Sequence, residues 1–152
     1  MKNGKFFNIR VYAFILNSYE EVLIAEEFHY NTFMRKLPGG GLQFGEGIYD
    51  ALIREIREEL NQEVESATHF HTTDFFVQSK FNETHQVIGV YYIVHLKNDI
   101  SHLYRKSDRV VDTNGEEEFK WKKIEALSPA DFTFPVDQKA VEVFLSLFDQ
   151  EG

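Results

Sequence analysis

Three glutamates at positions 55, 58 and 59 are spaced i, i+3 and i+4 within the run Ile48–Leu60. On a helix turning roughly 100° per residue, Ile48, Tyr49, Leu52, Ile53, Ile56 and Leu60 share one arc. Glu55, Glu58 and Glu59 project together from the neighbouring arc. Like charges at that spacing cost a helix roughly 0.2–0.5 kcal/mol per pair. A hard cation with oxygen ligands removes the cost. Ala51, one turn earlier on the same arc, leaves room above the acids. Glu46 precedes the run, where a helix N-terminus favours negative charge. Arg54 and Arg57 flank the acidic face and could orient carboxylates through charge-assisted hydrogen bonds. A Glu-rich helix face is most often only solvated surface, so the elements around it must decide.

Those elements begin with a glycine loop. Five of the nine glycines lie within Gly39 to Gly47, directly after Pro38, and such clustering marks a backbone making tight turns. Upstream, Phe7 to Leu16 alternates and reads as a strand, with Glu21 to Phe28 as the second strand of a hairpin turning at Asn17 and Ser18. His29 to Lys36 reads as irregular. Downstream, Thr68 to Phe81 and His85 to Leu96 read as strands joined by Asn82-Glu83-Thr84, with Phe75, Phe76, Tyr91 and Tyr92 placed mostly in the core by alternation. Lys97 to Gly115 is a polar connection, and Glu117 to Ile124 a short strand. Pro135 to Phe148 has the apolar spacing of a closing amphipathic helix. The expected architecture is α/β (α+β), a mixed sheet covered by helices, in a single domain over residues 1–152.

The string Gly40, five residues, Glu46, seven residues, then Arg54-Glu55-Ile56-Arg57-Glu58-Glu59 resembles the Nudix box, G-x5-E-x7-R-E-U-x-E-E-x-G-U, where U is a bulky aliphatic. Seven of its nine specified positions match; Asn61 and Gln62 stand in place of the last glycine and the last aliphatic. The resemblance implies a Nudix-type αβα sandwich and a pyrophosphohydrolase acting on a nucleoside di- or triphosphate or another nucleoside diphosphate derivative. It implies Mg2+ as cofactor, with Mn2+ able to substitute. The metal ligands carried over are Gly40 through its carbonyl, Glu55, Glu58 and Glu59, with a further acid from the segment Glu116, Glu117 and Glu118, of which Glu117 is taken. Glu55 or Glu58 would act as general base, and Arg54 would hold it in place. A non-catalytic ligand-binding domain on the same fold, and a nucleotide-sugar hydrolase, are the alternatives; retention of all four box acids favours the enzyme. ADP-ribose hydrolases of the family usually carry a proline shortly after the box, and diadenosine polyphosphate hydrolases a tyrosine. Here no proline lies between Pro38 and Pro129, and no tyrosine between Tyr49 and Tyr91.

Arg35 and Lys36, just ahead of the glycine loop, are candidates for substrate phosphates, and Phe44 inside the loop is a candidate for stacking on a base. His85 is a candidate pocket donor or base, against the plainer reading of a surface histidine. A net charge of −9 without a basic stripe argues for a small nucleotide-type ligand and against duplex nucleic acid. The chain has no cysteine, which excludes disulfides and zinc–thiolate sites, and no apolar run long enough to span a membrane. A cytoplasmic protein, open to forming a homodimer, is the expectation. For Asn61 the expectation is a left-handed conformation closing the helix, because Asn tolerates positive φ best after Gly.

Overall fold

The computed structural model describes residues 4–105 and 110–149. Its elements are β1 (Phe6–Ile15), β2 (Glu21–His29), β3 (Thr32–Lys36), β4 (Gly39–Gly41), α1 (Ile48–Leu60), β5 (Val64–Thr72), β6 (His85–Leu96), β7 (Glu116–Lys123) and α2 (Pro135–Asp149), with 3-10 turns at Ile124–Ala126 and Pro129–Asp131. One sheet runs β4-β1-β6-β5 and the other β3-β2-β7. The first is mixed: β1 lies parallel to β6 and antiparallel to β4.

Alternation along β1 makes it the spine of the fold. Val11, Ala13 and Ile15 face α1, meeting Ala51, Leu52, Ile56 and Leu60. Tyr12 and Phe14 face α2, meeting Ala140, Val141 and Phe144. The Phe14 and Phe144 rings lie 4.6 Å apart, and both are fully buried. Truncating either to alanine would cost about 3–5 kcal/mol. A helix therefore covers each face of the mixed sheet, as the sandwich reading requires.

The acidic helix begins at Gly47, whose N–H donates to the Asp50 carboxylate at 3.2 Å. It ends at Asn61, which takes φ 55° and ψ 43° and donates its N–H to the Arg57 carbonyl. That is the left-handed closure expected of it.

Three expectations fail. β1 and β2 do not form a hairpin ladder. They share one bridge, Leu16↔Val22, because both edges of β1 are taken by β4 and β6, and β2 turns away into the second sheet. The stretch read as irregular contains β3, joined to β2 through Tyr30 and Asn31, both at positive φ. That geometry makes a two-residue hairpin turn without the usual Asn-Gly signal. The strand expected to reach Phe81 stops at Thr72, where Thr73 exchanges hydrogen bonds with Gly89 and the chain loops outward. Phe75 and Phe76 are consequently exposed, whereas Tyr91 is fully buried.

Candidate active site

Strand β4 brings the glycine loop against both β1 and α1. At Gly39, with φ 143°, a side chain would run into the Val11 carbonyl oxygen. At Gly40 a Cβ would lie 2.6 Å from both carboxylate oxygens of Glu55. The absence of that carbon is what lets Glu55 lie directly over the loop backbone.

Arg54 ties the loop to the helix. Its Nε and Nη2 donate to the two oxygens of Glu46 at 2.9 and 2.7 Å, and Nη2 also donates to the Gly41 carbonyl at 3.0 Å. Nη1 reaches Glu55 at 3.2 Å and Glu58 at 3.3 Å. The Arg54 hydrogen bonds, with one from the Gln43 N–H, draw the Glu46 carboxyl down to about 2. Of the box acids, Glu58 is the most open, its side chain 58 % exposed against 13 % for Glu55.

Glu59 turns towards the second sheet and accepts from the Gly39 N–H at 3.0 Å. Burial, then the charges of Glu117 and Glu55, push its carboxyl up to about 8. Glu117 is raised as well, by burial first and by Glu27 and Glu55. The register of β7 on β2 separates the three acids of that segment. Glu117 lies opposite Glu27 and Glu118 opposite Glu26, so they point to opposite faces. Glu116 caps its turn by accepting from the Thr113 N–H. Glu117 is thus the one brought into the field of the helix acids.

The two basic candidates separate in the same way. Lys36 stays beside the acids, paired with Glu27 at 2.8 Å. Arg35 faces away: it holds Glu26 at 2.7 and 2.9 Å and the Asp131 carbonyl at 3.2 Å. Phe44 is fully exposed at the tip of the loop and is not brought to the acids. His85 opens β6, its ring edge-on to Phe6.

Beside the Lys36–Glu27 pair a cavity of about 560 Å³ opens between the sheets, lined by Arg10, Tyr30, Lys36, Phe81 and Phe134 among others. Tyr30 and Phe81 pack against each other with tilted rings, centroids 5.0 Å apart. Behind it, Asp137 accepts from the Tyr91 hydroxyl at 2.6 Å, and burial pushes its carboxyl up to about 6. Sequence reasoning missed Arg10, Tyr30, Phe81, Phe134 and Asp137. The available signals were a charge inside the β-rich run of β1 and an acid in the first turn of an apolar helix.

The donor set around Gly40 consists only of carboxylate and carbonyl oxygens, which suits a hard divalent cation. The crowding that pushes Glu59 upward is the kind a cation relieves. Among the described residues, no three acidic or histidine side chains already stand close enough to hold an ion. The same residues contain no helix long and apolar enough to cross a membrane.

Solved structures share this arrangement of sheets and helices. MutT from Aliivibrio salmonicida or Vibrio cholerae superposes with a TM-score of 0.63 at 20 % identity, covering 93 % of this chain and 98 % of that one. The MutT NUDIX hydrolase of Burkholderia pseudomallei gives 0.64 at 22 % identity, covering 90 % and 97 %. A NUDIX hydrolase from Nitrosomonas europaea gives 0.66 at 20 % identity, covering 91 % and 88 %. Among curated proteins none matches the chain at a significant level. The family model described as NUDIX domain matches residues 7–144, spanning the glycine loop, the acidic helix and both sheets. On that match, and with the fold of the Nudix hydrolases around its box, the chain belongs to the NUDIX domain family.

Proposed function

We propose that this protein hydrolyses a pyrophosphate bond in a nucleoside di- or triphosphate or another nucleoside diphosphate derivative, with Mg2+ as cofactor and Mn2+ as a substitute. The observation that carries this reading is the Arg54 hub. One guanidinium holds the loop acid Glu46, the Gly41 carbonyl and the helix acids Glu55 and Glu58. A merely solvated helix face does not require such convergence on the loop backbone.

In this reading the Gly40 carbonyl, Glu55, Glu58, Glu59 and Glu117 would hold the metal. When bound, the cation neutralises charge on the phosphate oxygens and makes water more acidic. Glu55 or Glu58 accepts the proton of the attacking water, while Arg54 fixes that carboxylate and Glu46 fixes Arg54. Water oxygen bonds to phosphorus, the bridging P–O bond breaks, and the leaving phosphate departs with its electron pair. Lys36 meets substrate phosphates, its charge shared with Glu27. The net charge of −9 supports a small ligand and no affinity for duplex DNA.

The test is a panel of nucleoside triphosphates, nucleotide sugars and ADP-ribose, with Mg2+, Mn2+ or EDTA, on wild type and Glu58→Gln. EDTA is expected to abolish turnover, and Glu58→Gln to lower it by at least about 10²-fold with an unchanged melt. Activity surviving EDTA, or near-normal turnover in the variant, overturns the assignment.

A further inference from the structure

Arg10 is a half-buried cation with no carboxylate at salt-bridge distance among the described residues. Arg35, Arg54 and Arg105 each hold at least one glutamate within salt-bridge distance. Arg10 donates only through Nε, to the Tyr12 hydroxyl at 2.6 Å. Among the described residues nothing accepts from Nη1 or Nη2. Its guanidinium also lies over the Tyr12 ring, 5.7 Å from the centroid. Tyr12 in turn stacks on Tyr91 at 5.4 Å, and Tyr91 is anchored to Asp137. The inner edge of Arg10 is therefore fixed by a buried aromatic column, and its outer edge is unpaired.

The location of that edge identifies its ligand. Arg10 lines the 560 Å³ cavity together with Lys36 and the aromatic rim of Tyr30, Phe81 and Phe134. Nη1 lies 3.6 Å from where a Cβ on Gly41 would stand. Gly41 is also the residue whose carbonyl Arg54 holds from the other side. Arg10 thus pairs across the strands with Gly41 of the glycine loop, lies within the electrostatic reach of Glu55, and lines the cavity that holds the aromatic rim. Lys36, the other cation on this wall, already has Glu27. Two parallel N–H groups match two oxygens of a phosphate, and an unpaired guanidinium in a half-buried wall gains most from an anion.

We propose that Arg10 grips the phosphate that stays on the organic group of the substrate, the α-phosphate of a nucleotide, and orients the attached ring system into the aromatic end of the cavity. This rests on the hydrolase reading for the nature of the ligand, but its test does not involve turnover. Arg10 is a binding and specificity residue here, and Tyr12 its positioning residue.

The experiment is isothermal titration in EDTA of AMP, GMP, CMP and UMP, each against its parent nucleoside. Wild type, Arg10→Lys, Arg10→Gln, Tyr12→Phe and the charge control Lys97→Gln are compared, with melts to verify folding. Lys97 follows β6, pairs with Glu63 at 3.6 Å, and does not line the Arg10 cavity. Wild type is expected to favour at least one monophosphate over its nucleoside by about 10-fold or more. Arg10→Gln should bring that ratio to within about 2-fold of unity, Arg10→Lys should keep an intermediate ratio because a charge without the fork remains, and Lys97→Gln should leave it unchanged. Tyr12→Phe should lower the preference by about 3-fold, through loss of the hydroxyl that fixes Nε. Should Arg10→Gln fail to fold, Arg10→Lys and Tyr12→Phe decide the matter by the same ratio. A wild type with no preference for any monophosphate, or an Arg10 variant that keeps the full preference, overturns the proposal. Failure of the hydrolase reading shows separately, as absent Mg2+-dependent turnover.

Discussion

Glu26 and Glu59 are both withdrawn from water, yet their surroundings drive them in opposite directions. Burial raises the Glu26 carboxyl, but hydrogen bonds from Lys120 and Arg35 outweigh it and leave it below the ordinary value. Glu59 accepts from one backbone N–H and, among the described residues, has no cation at contact distance, so burial and the charges of Glu117 and Glu55 raise it to about 8. The first cluster is complete, because its charges cancel inside the protein. The second carries an excess of acid that is relieved by a bound proton or by an added cation. The two acid clusters, one within the β3-β2-β7 sheet and one between α1 and β7, thus differ in whether the chain supplies both signs, and that difference separates a structural ion cluster from a candidate site.

The contrast can be broken most sharply at Arg54. Arg54→Gln should leave the fold intact and lower turnover on the best panel substrate by at least about 10²-fold, since it releases Glu46, Glu55 and Glu58 together. Turnover within a few-fold of wild type would remove the hub from the mechanism. Glu26→Ala should do the reverse. Denaturant unfolding is expected to show a loss of about 2–3 kcal/mol, as Arg35 and Lys120 lose their shared partner, with kcat little changed. A collapse of kcat at unchanged stability would mean that the complete cluster, too, belongs to the site.

Glu59→Gln tests the incomplete cluster through pH. A carboxyl raised in the folded state adds stability that is full below its ordinary value of 4.5 and is lost as pH rises through about 8. Metal-free wild type should therefore weaken between those values, and Glu59→Gln should not. The gap at the alkaline end should be on the order of 1–2 kcal/mol once solvent access is allowed for, and Mg2+ should narrow it. Parallel stability curves would show that Glu59 is not crowded. At Asn61, replacement by Val should cost about 1–2 kcal/mol and replacement by Gly should be nearly neutral, measured as unfolding free energies. An equal cost for both would mean that the left-handed closure is not what selects Asn.

Elements governed by local periodicity were legible in the sequence. The helix Ile48–Leu60, the strand His85–Leu96 and the closing helix fall where their apolar spacing put them. Residues whose placement depends on strand pairing were not. Arg35 and Lys36 are adjacent and equally basic, and only the pairing of β3 on β2 sends one to Glu26 and the other to Glu27. The choice among Glu116, Glu117 and Glu118 is likewise a question of register, since one step along a strand reverses the face. Arg10 was invisible because it pairs with β4 and shares its cavity with β2, β3, the loop after β5 and the start of α2.

The parallel pairing of β1 with β6 also bears on how the protein is made. Every rung of that ladder, from Phe6↔His85 to Ile15↔Val94, joins residues about half the chain apart, a separation that slows closure through loop entropy. A nascent chain that has emerged only as far as residue 84 already contains the glycine loop and the acidic helix, but lacks β6 and the Val94 side chain that packs with that helix against β1. Assembly of the face that carries the acidic helix is therefore a late event of synthesis, completed from the C-terminal half of the molecule.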